Sequence, residues 1–211
     1  MKRKHIYLSL FVILVLGLSL LGAAGCKSSN VIFSDDFSDE NSGWTTYDDF
    51  DGEVTYKDGY FSIRDYTDPE GSVFTQAQRH FTDFVLEVET WLVNGTDDNW
   101  HIVAFRMQNE ASYYDFRISA DGYCAAAKFV DGESITILEP EVSTYINTGV
   151  GAVNTIRIEC IGNSLGFAIN GHVIAQISDG TFSGGDIVLS ADALSGTFTE
   201  VAFDNLVVTK P

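Results

Sequence analysis

Glu87 and Glu89 stand two residues apart in Phe84–Leu92 (FVLEVETWL). On a β-strand, residues i and i+2 project from the same face, so this spacing presents two carboxylates side by side. Two carboxyl groups flanking one bond are what glycoside hydrolysis requires, one as acid and the other as base or nucleophile. The same spacing equally suits two solvated glutamates neutralised by Arg or Lys on a neighbouring strand. Other reactive groupings are thinner. The sequence has no Gly-x-Ser-x-Gly elbow and no His-x-x-x-His or Cys-x-x-Cys spacing, and His80, His101 and His172 lie in unrelated contexts. Catalysis is therefore not the default expectation.

A second grouping suggests binding. Trp100–Gln108 (WHIVAFRMQ) and Tyr113–Ser119 (YYDFRIS) alternate with period two, as does the segment around Glu87. Taking Val103, Phe105, Met107, Tyr114, Phe116 and Ile118 as core-facing leaves Arg106, Gln108, Tyr113, Asp115 and Arg117 on the opposite side. Cys124 and Lys128 follow from the next strand, and Trp91 from the strand of Glu87 and Glu89. If these four strands pair in sequence order, they build one mixed face. Its expected ligand-binding residues are Trp91, Arg106, Tyr113, Asp115, Arg117 and Lys128. The aromatic rings could stack on a pyranose while the planar polar groups bond hydroxyls. A ladder of cross-strand ion pairs is the alternative use of the same residues. Phe37 and Trp44 read as core anchors.

Strands must position these groups, because no window after residue 30 has convincing helical spacing of apolar residues. Asn154–Ile161, Leu165–Asn170, Asp186–Ala191 and Val201–Val208 also alternate. Asp58-Gly59, Asp121-Gly122, Asp131-Gly132, Gly162-Asn163 and Asn170-Gly171 supply the residues that tight hairpins need. About a dozen strands joined by such turns predict two stacked antiparallel sheets, an all-β sandwich over residues 31–211.

Residues 1–25 read as an address. A basic start (MKRKH) precedes an uncharged run from Ile6 to Leu21, then Gly22-Ala23-Ala24-Gly25-Cys26. This arrangement resembles a bacterial lipoprotein signal, although Ala23 stands where Leu is usual. The resemblance implies lipidation of Cys26, a short tether over residues 26–30, and a domain held outside the cytoplasm on a membrane. Net charge is −18 for the whole chain. Such an acidic chain excludes nucleic acid as a partner, since phosphate binding needs clustered Lys and Arg, and it disfavours anionic polysaccharides. Cys124 and Cys160 form an even pair in an exported domain, which suggests a disulfide, yet alternation puts them on different faces.

Several stretches in order carry a wider resemblance: Ser34-Asp35-Asp36-Phe37-Ser38 with Gly43-Trp44, Tyr113-Tyr114-Asp115-Phe116-Arg117-Ile118-Ser119, Ile146-Asn147-Thr148-Gly149, and Phe203-Asp204-Asn205-Leu206-Val207-Val208. Together they resemble secreted bacterial domains of the concanavalin A-like lectin/glucanase superfamily, including laminin G-like and 3-keto-disaccharide hydrolase-type members. The resemblance implies a jelly roll that binds carbohydrate or another cell-surface ligand. It leaves open a glycoside hydrolase-like enzyme and an adhesion domain that contacts protein. Family 16 glycoside hydrolases on this fold carry Glu-x-Asp-x-x-Glu; here Glu89 takes the middle place and Leu92 the last, so the motif is broken. The resemblance also implies that Asp35, Asp36 and Asp204 could hold a structural Ca²⁺ where the first and last strands meet.

Overall fold

The computed structural model describes residues 30–66, 73–195 and 198–211. The signal segment 1–25, Cys26 and nearly all of the tether lie outside the described residues. Fifteen strands follow in chain order. They are β1 (Val31–Asp35), β2 (Tyr47–Asp48), β3 (Gly52–Lys57), β4 (Tyr60–Asp65), β5 (Val73–Gln76), β6 (Phe84–Gly95), β7 (Asn99–Asn109) and β8 (Ser112–Ile118). Then come β9 (Tyr123–Val130), β10 (Glu133–Val142), β11 (Asn154–Ile161), β12 (Ser164–Ile169), β13 (His172–Ser178), β14 (Asp186–Ala193) and β15 (Thr199–Thr209). Among the described residues no helix is long and apolar enough to cross a membrane.

The strands form two antiparallel sheets packed face to face, the sandwich that the alternation predicts and the jelly roll that the resemblance implies. One has nine strands in the order β13-β12-β11-β6-β15-β4-β3-β2, with β1 also paired to β15; the other has six in the order β10-β9-β8-β7-β14-β5. All five turn dipeptides join antiparallel neighbours. At Asp58-Gly59, Asp131-Gly132 and Asn170-Gly171 both residues have positive φ, the requirement of a type I′ turn.

The core fills the space between the sheets. From the nine-stranded sheet come Phe61, Leu86, Val88, Ile156, Ile158, Phe167, Phe203 and Val208; from the six-stranded sheet come Val103, Phe105, Tyr114, Phe116, Ile118 and Leu189. Burying a Leu, Ile or Phe side chain contributes ~1.5–3 kcal/mol each, so this interdigitation dominates stability. Phe37 and Trp44 are core residues, and Asp35 secures them: its carboxylate accepts from Phe37 N (2.8 Å) and Trp44 Nε1 (2.9 Å).

Pairing in sequence order holds for β7, β8, β9 and β10 but fails at β6. That strand lies in the other sheet, between β11 and β15, where Val88 faces Ile156 and Leu86 faces both Ile158 and Val208. The chain changes sheets between Gly95 and Asn99, where Thr96 N donates to Phe198 O. Alternation fixes which residues of β6 point inward but carries no record of the neighbouring strand.

Candidate functional site

The mixed face expected from the sequence is divided by this topology. Glu87, Glu89 and Trp91 lie on the outer face of the nine-stranded sheet. There Arg157 Nε reaches Glu87 at 3.3 Å, and Asn205 Nδ2 donates to Glu89 at 2.9 Å. Trp91 meets Tyr60 edge-on, with ring centroids 5.4 Å apart. On the same face Glu200, 3% exposed, accepts from Lys57 and Ser62 and pairs with Arg64. Burial opposes ionisation of Glu200, but these bonds outweigh it and hold the carboxyl below its ordinary range. Glu87, Glu89 and Glu200 of this face each have a side-chain donor.

Arg106 and Lys128 leave the expected face as well. A register shift between Phe105 and Asn109 breaks the alternation of β7, and Arg106 sits in the left-handed region at φ 50°. Its side chain is fully buried, donating to Phe182 O (2.9 Å) and Thr82 O (3.1 Å) with Asp83 at 3.5 Å. Lys128 shares the inward parity of Cys124 and Ala126 and emerges at the rim, bonded to Asp179 (2.6 Å) and Thr181 (2.9 Å). Burial would raise the Asp179 carboxyl, but bonds from Lys128, Tyr114 and Thr181 hold it well below the usual range.

Tyr113, Asp115 and Arg117 do stand together, on the outer face of the six-stranded sheet. They line a pocket of about 280 Å³ with Ile102, Ala104 and Met107 of β7, Val188, Ser190 and Asp192 of β14, Phe74, Glu110 and Phe129. Register explains the assembly. Phe74 pairs Ser190, Ser190 pairs Ile102, and Ile102 pairs Arg117, giving one row across four strands. Val188, Ala104 and Asp115 form the next row, and Asp192 opposite Trp100 lies beyond the first. Alanines at 104, 125 and 127 keep the floor low, while Tyr113 stacks on Phe129 (4.6 Å) as a wall. Trp100, Ile102 and Ala125 form a small buried cluster separate from the main core.

The polar groups here are not self-satisfied. Asp115 is 2% exposed and accepts one hydrogen bond, from Ala127 N at 3.1 Å. Burial, only partly offset by Arg117 and that bond, pushes its carboxyl up to about 6. Arg117 Nε lies 3.5 Å from Asp115 Oδ1, an ion pair too poorly aligned for a hydrogen bond, and the guanidinium rests 5.4 Å over the Trp100 ring. Burial and the charge of Asp65 push Asp192 up to about 6, with Arg117 acting the other way. Ser190 Oγ is buried with no partner among the described residues. Buried polar atoms are normally bonded, so an orphan hydroxyl on a pocket floor marks a place where a ligand or water completes the network.

These carboxyls are not a glycosidase pair. Asp115 and Asp192 are separated by β7 and by four residues along the strands, or roughly 16 Å between Cα atoms at ~4.8 Å per strand and ~3.4 Å per residue. Glycosidase carboxyls stand about 5–9.5 Å apart.

β1 and β15 do meet, Asp35 opposite Leu206. Burial first, then repulsion from Glu89, Asp36 and Asp35, raises the Asp204 carboxyl. However, Asp35 is committed to Phe37 and Trp44, and Asp36 to Ser38 N and Oγ. Among the described residues no three His, Cys, Asp or Glu side chains are grouped to hold a metal ion. Cys124 and Cys160 are free thiols rather than a disulfide. Both point into the core, from opposite sheets, and burial pushes them up to about 11 and 12.

Of the pocket residues, Ser190 and Asp192 escape sequence reading. Their polar parity opposite Ile187, Leu189 and Ala191 is visible in Asp186–Ala193, but nothing local reveals that β14 lies beside β7.

Solved structures with the same two-sheet jelly-roll fold resemble this one. The carbohydrate-binding module CBM66 from Bacillus subtilis superposes with TM-score 0.65 at 17% identity, covering 80% of this chain and 96% of its own. Bacillus licheniformis beta-glucanase gives 0.62 at 12%, covering 88% and 100%. A Bacillus subtilis protein with a galectin-like fold gives 0.65 at 9%, covering 86% and 96%. The chain belongs to the 3-keto-alpha-glucoside-1,2-lyase-like domain family, whose model matches residues 32–209. No curated protein matches the sequence significantly.

Proposed function

We propose that this protein is a membrane-anchored, extracytoplasmic module that binds carbohydrate in the pocket of the six-stranded sheet without turning it over. The observation that carries the reading is the set of unpartnered polar groups on that floor. Ser190 Oγ, the outer guanidinium nitrogens of Arg117 and the Asp192 carboxylate can exchange bonds with hydroxyls, while Tyr113, Phe129 and Phe74 offer apolar surface to a ring. Membrane attachment rests on the lipoprotein-like segment ending at Cys26. A glycan array with the purified protein tests the reading. A specific hit lost on Arg117→Ala and kept on Trp91→Ala supports it, whereas loss on Trp91→Ala alone moves the site to the other face.

One observation favours catalysis as a second reading. Asp192 has a raised carboxyl beside an arginine, a combination suited to removing a proton next to a carbonyl. The family description names a 3-keto-α-glucoside 1,2-lyase activity, so release of the aglycone from such a substrate, abolished by Asp192→Asn, would establish it.

A further inference from the structure

The pocket lining contains three carboxyl groups, Asp115, Asp192 and Glu110, against one guanidinium, Arg117. Arg117 is already engaged. Its Nε lies against Asp115 and its plane covers Trp100. Asp192 has no such partner. It accepts no hydrogen bond among the described residues, Asp65 adds negative charge behind it, and Arg117 is its one favourable charge. One row, Ser190–Ile102–Arg117, lies between it and the row of Asp115. A partly buried carboxylate without donors is costly, and the group that relieves most of that cost is a cation that also donates hydrogen bonds.

The orphaned hydroxyl of Ser190, 4% exposed and two residues from Asp192 on the same strand face, provides an independent sign of a missing ligand atom. An ammonium group on a sugar ring would donate to Asp192 while a neighbouring ring hydroxyl meets Ser190. Neutral sugars can reach the same atoms but leave the excess charge uncompensated. Uronates and sulfated sugars would add to it, in a chain already at −18.

Resting on the carbohydrate-binding reading above, we propose that the pocket is selective for amino sugars with a free ammonium group, which Asp192 and Ser190 receive. The pocket of about 280 Å³ suits a single ring, so monosaccharides are adequate probes.

Titration by protein-observed NMR at pH 7 would use three matched pairs: glucose and glucosamine, galactose and galactosamine, mannose and mannosamine. N-acetylglucosamine and spermidine serve as controls. In at least one pair the amine should bind tenfold or more tightly than its parent sugar, and N-acetylation should erase the gain. Asp192→Asn should collapse the gap between each amine and its parent sugar to under threefold. Parent sugars binding as well as their amines would overturn the selectivity and leave the carbohydrate reading standing. A gap that survives Asp192→Asn, or spermidine binding as tightly as the amino sugar, would also overturn it, the latter by reducing it to bulk attraction. If none of the sugars perturbs the pocket resonances, the carbohydrate reading itself fails.

Discussion

The two outer faces of this sandwich both carry acids and bases, yet they are wired differently. On the nine-stranded sheet, Glu87 meets Arg157, Glu89 meets Asn205, and Glu200 gathers Lys57, Arg64 and Ser62. On the six-stranded sheet, Asp115 has one backbone donor and a distant arginine, Asp192 has no donor among the described residues, and Ser190 has no partner. A face whose charges pair internally is stable and soluble alone; a face with buried polar atoms left over is complete only with something bound. Composition does not distinguish them, since both mix acids, bases and aromatics. Satisfaction does.

The sharpest way to break this contrast is to remove one group from each face. Arg117→Ala should reduce sugar affinity by about 100-fold, near the ~3 kcal/mol that a charged hydrogen-bond partner can contribute. The double variant Glu87→Gln/Glu89→Gln should change it less than twofold, and calorimetry on both proteins checks the pair. Arg106 links neither face to a ligand but fastens the segments around Thr82 and Phe182. Arg106→Met strands two carbonyls and should destabilise by about 2–3 kcal/mol, lowering Tm by roughly 5–10 °C in a domain of this size.

Asp115→Asn sharpens the comparison through pH. A carboxyl held at about 6 in the folded protein, against 3.8 ordinarily, contributes stability below pH 4 that is lost as pH rises through 6. Replacing it should therefore stabilise the fold at pH 8, by about 1–2 kcal/mol once loss of the Arg117 pairing is counted, and not at pH 4. His101 acts oppositely. It is enclosed between the sheets, and burial lowers it to about 3. Thr90 Oγ1 donates to Ala202 O, so His101 Nδ1 must donate to Thr90. The ring is thus neutral, and its contribution is present above pH 6.5 and lost as pH falls toward 3. Urea titrations of both proteins across pH 4–8 would expose the Asp115 slope. The smallest effect belongs to calcium: because Asp35 and Asp36 are already engaged, EDTA should shift Tm by less than about 1 °C, within the ±0.5 kcal/mol of a neutral surface change.

Much of this molecule is written locally. The inward side chains of β6 and β8 and the five hairpin turns follow from period-two alternation and residues tolerant of positive φ, because both depend on near neighbours in the chain. Tyr113, Asp115 and Arg117 could be placed together for that reason: they share one strand and one face. Which strand lies beside which is a long-range fact. It moved Glu87, Glu89 and Trp91 to the other sheet and brought Ser190 and Asp192 to the pocket from more than seventy positions downstream of Asp115. The shift in β7 that buries Arg106, and the inward parity of Cys124 and Lys128, were equally illegible. A bulge inverts alternation past the point where it occurs, and only packing against the opposite sheet shows which side of a strand is inside.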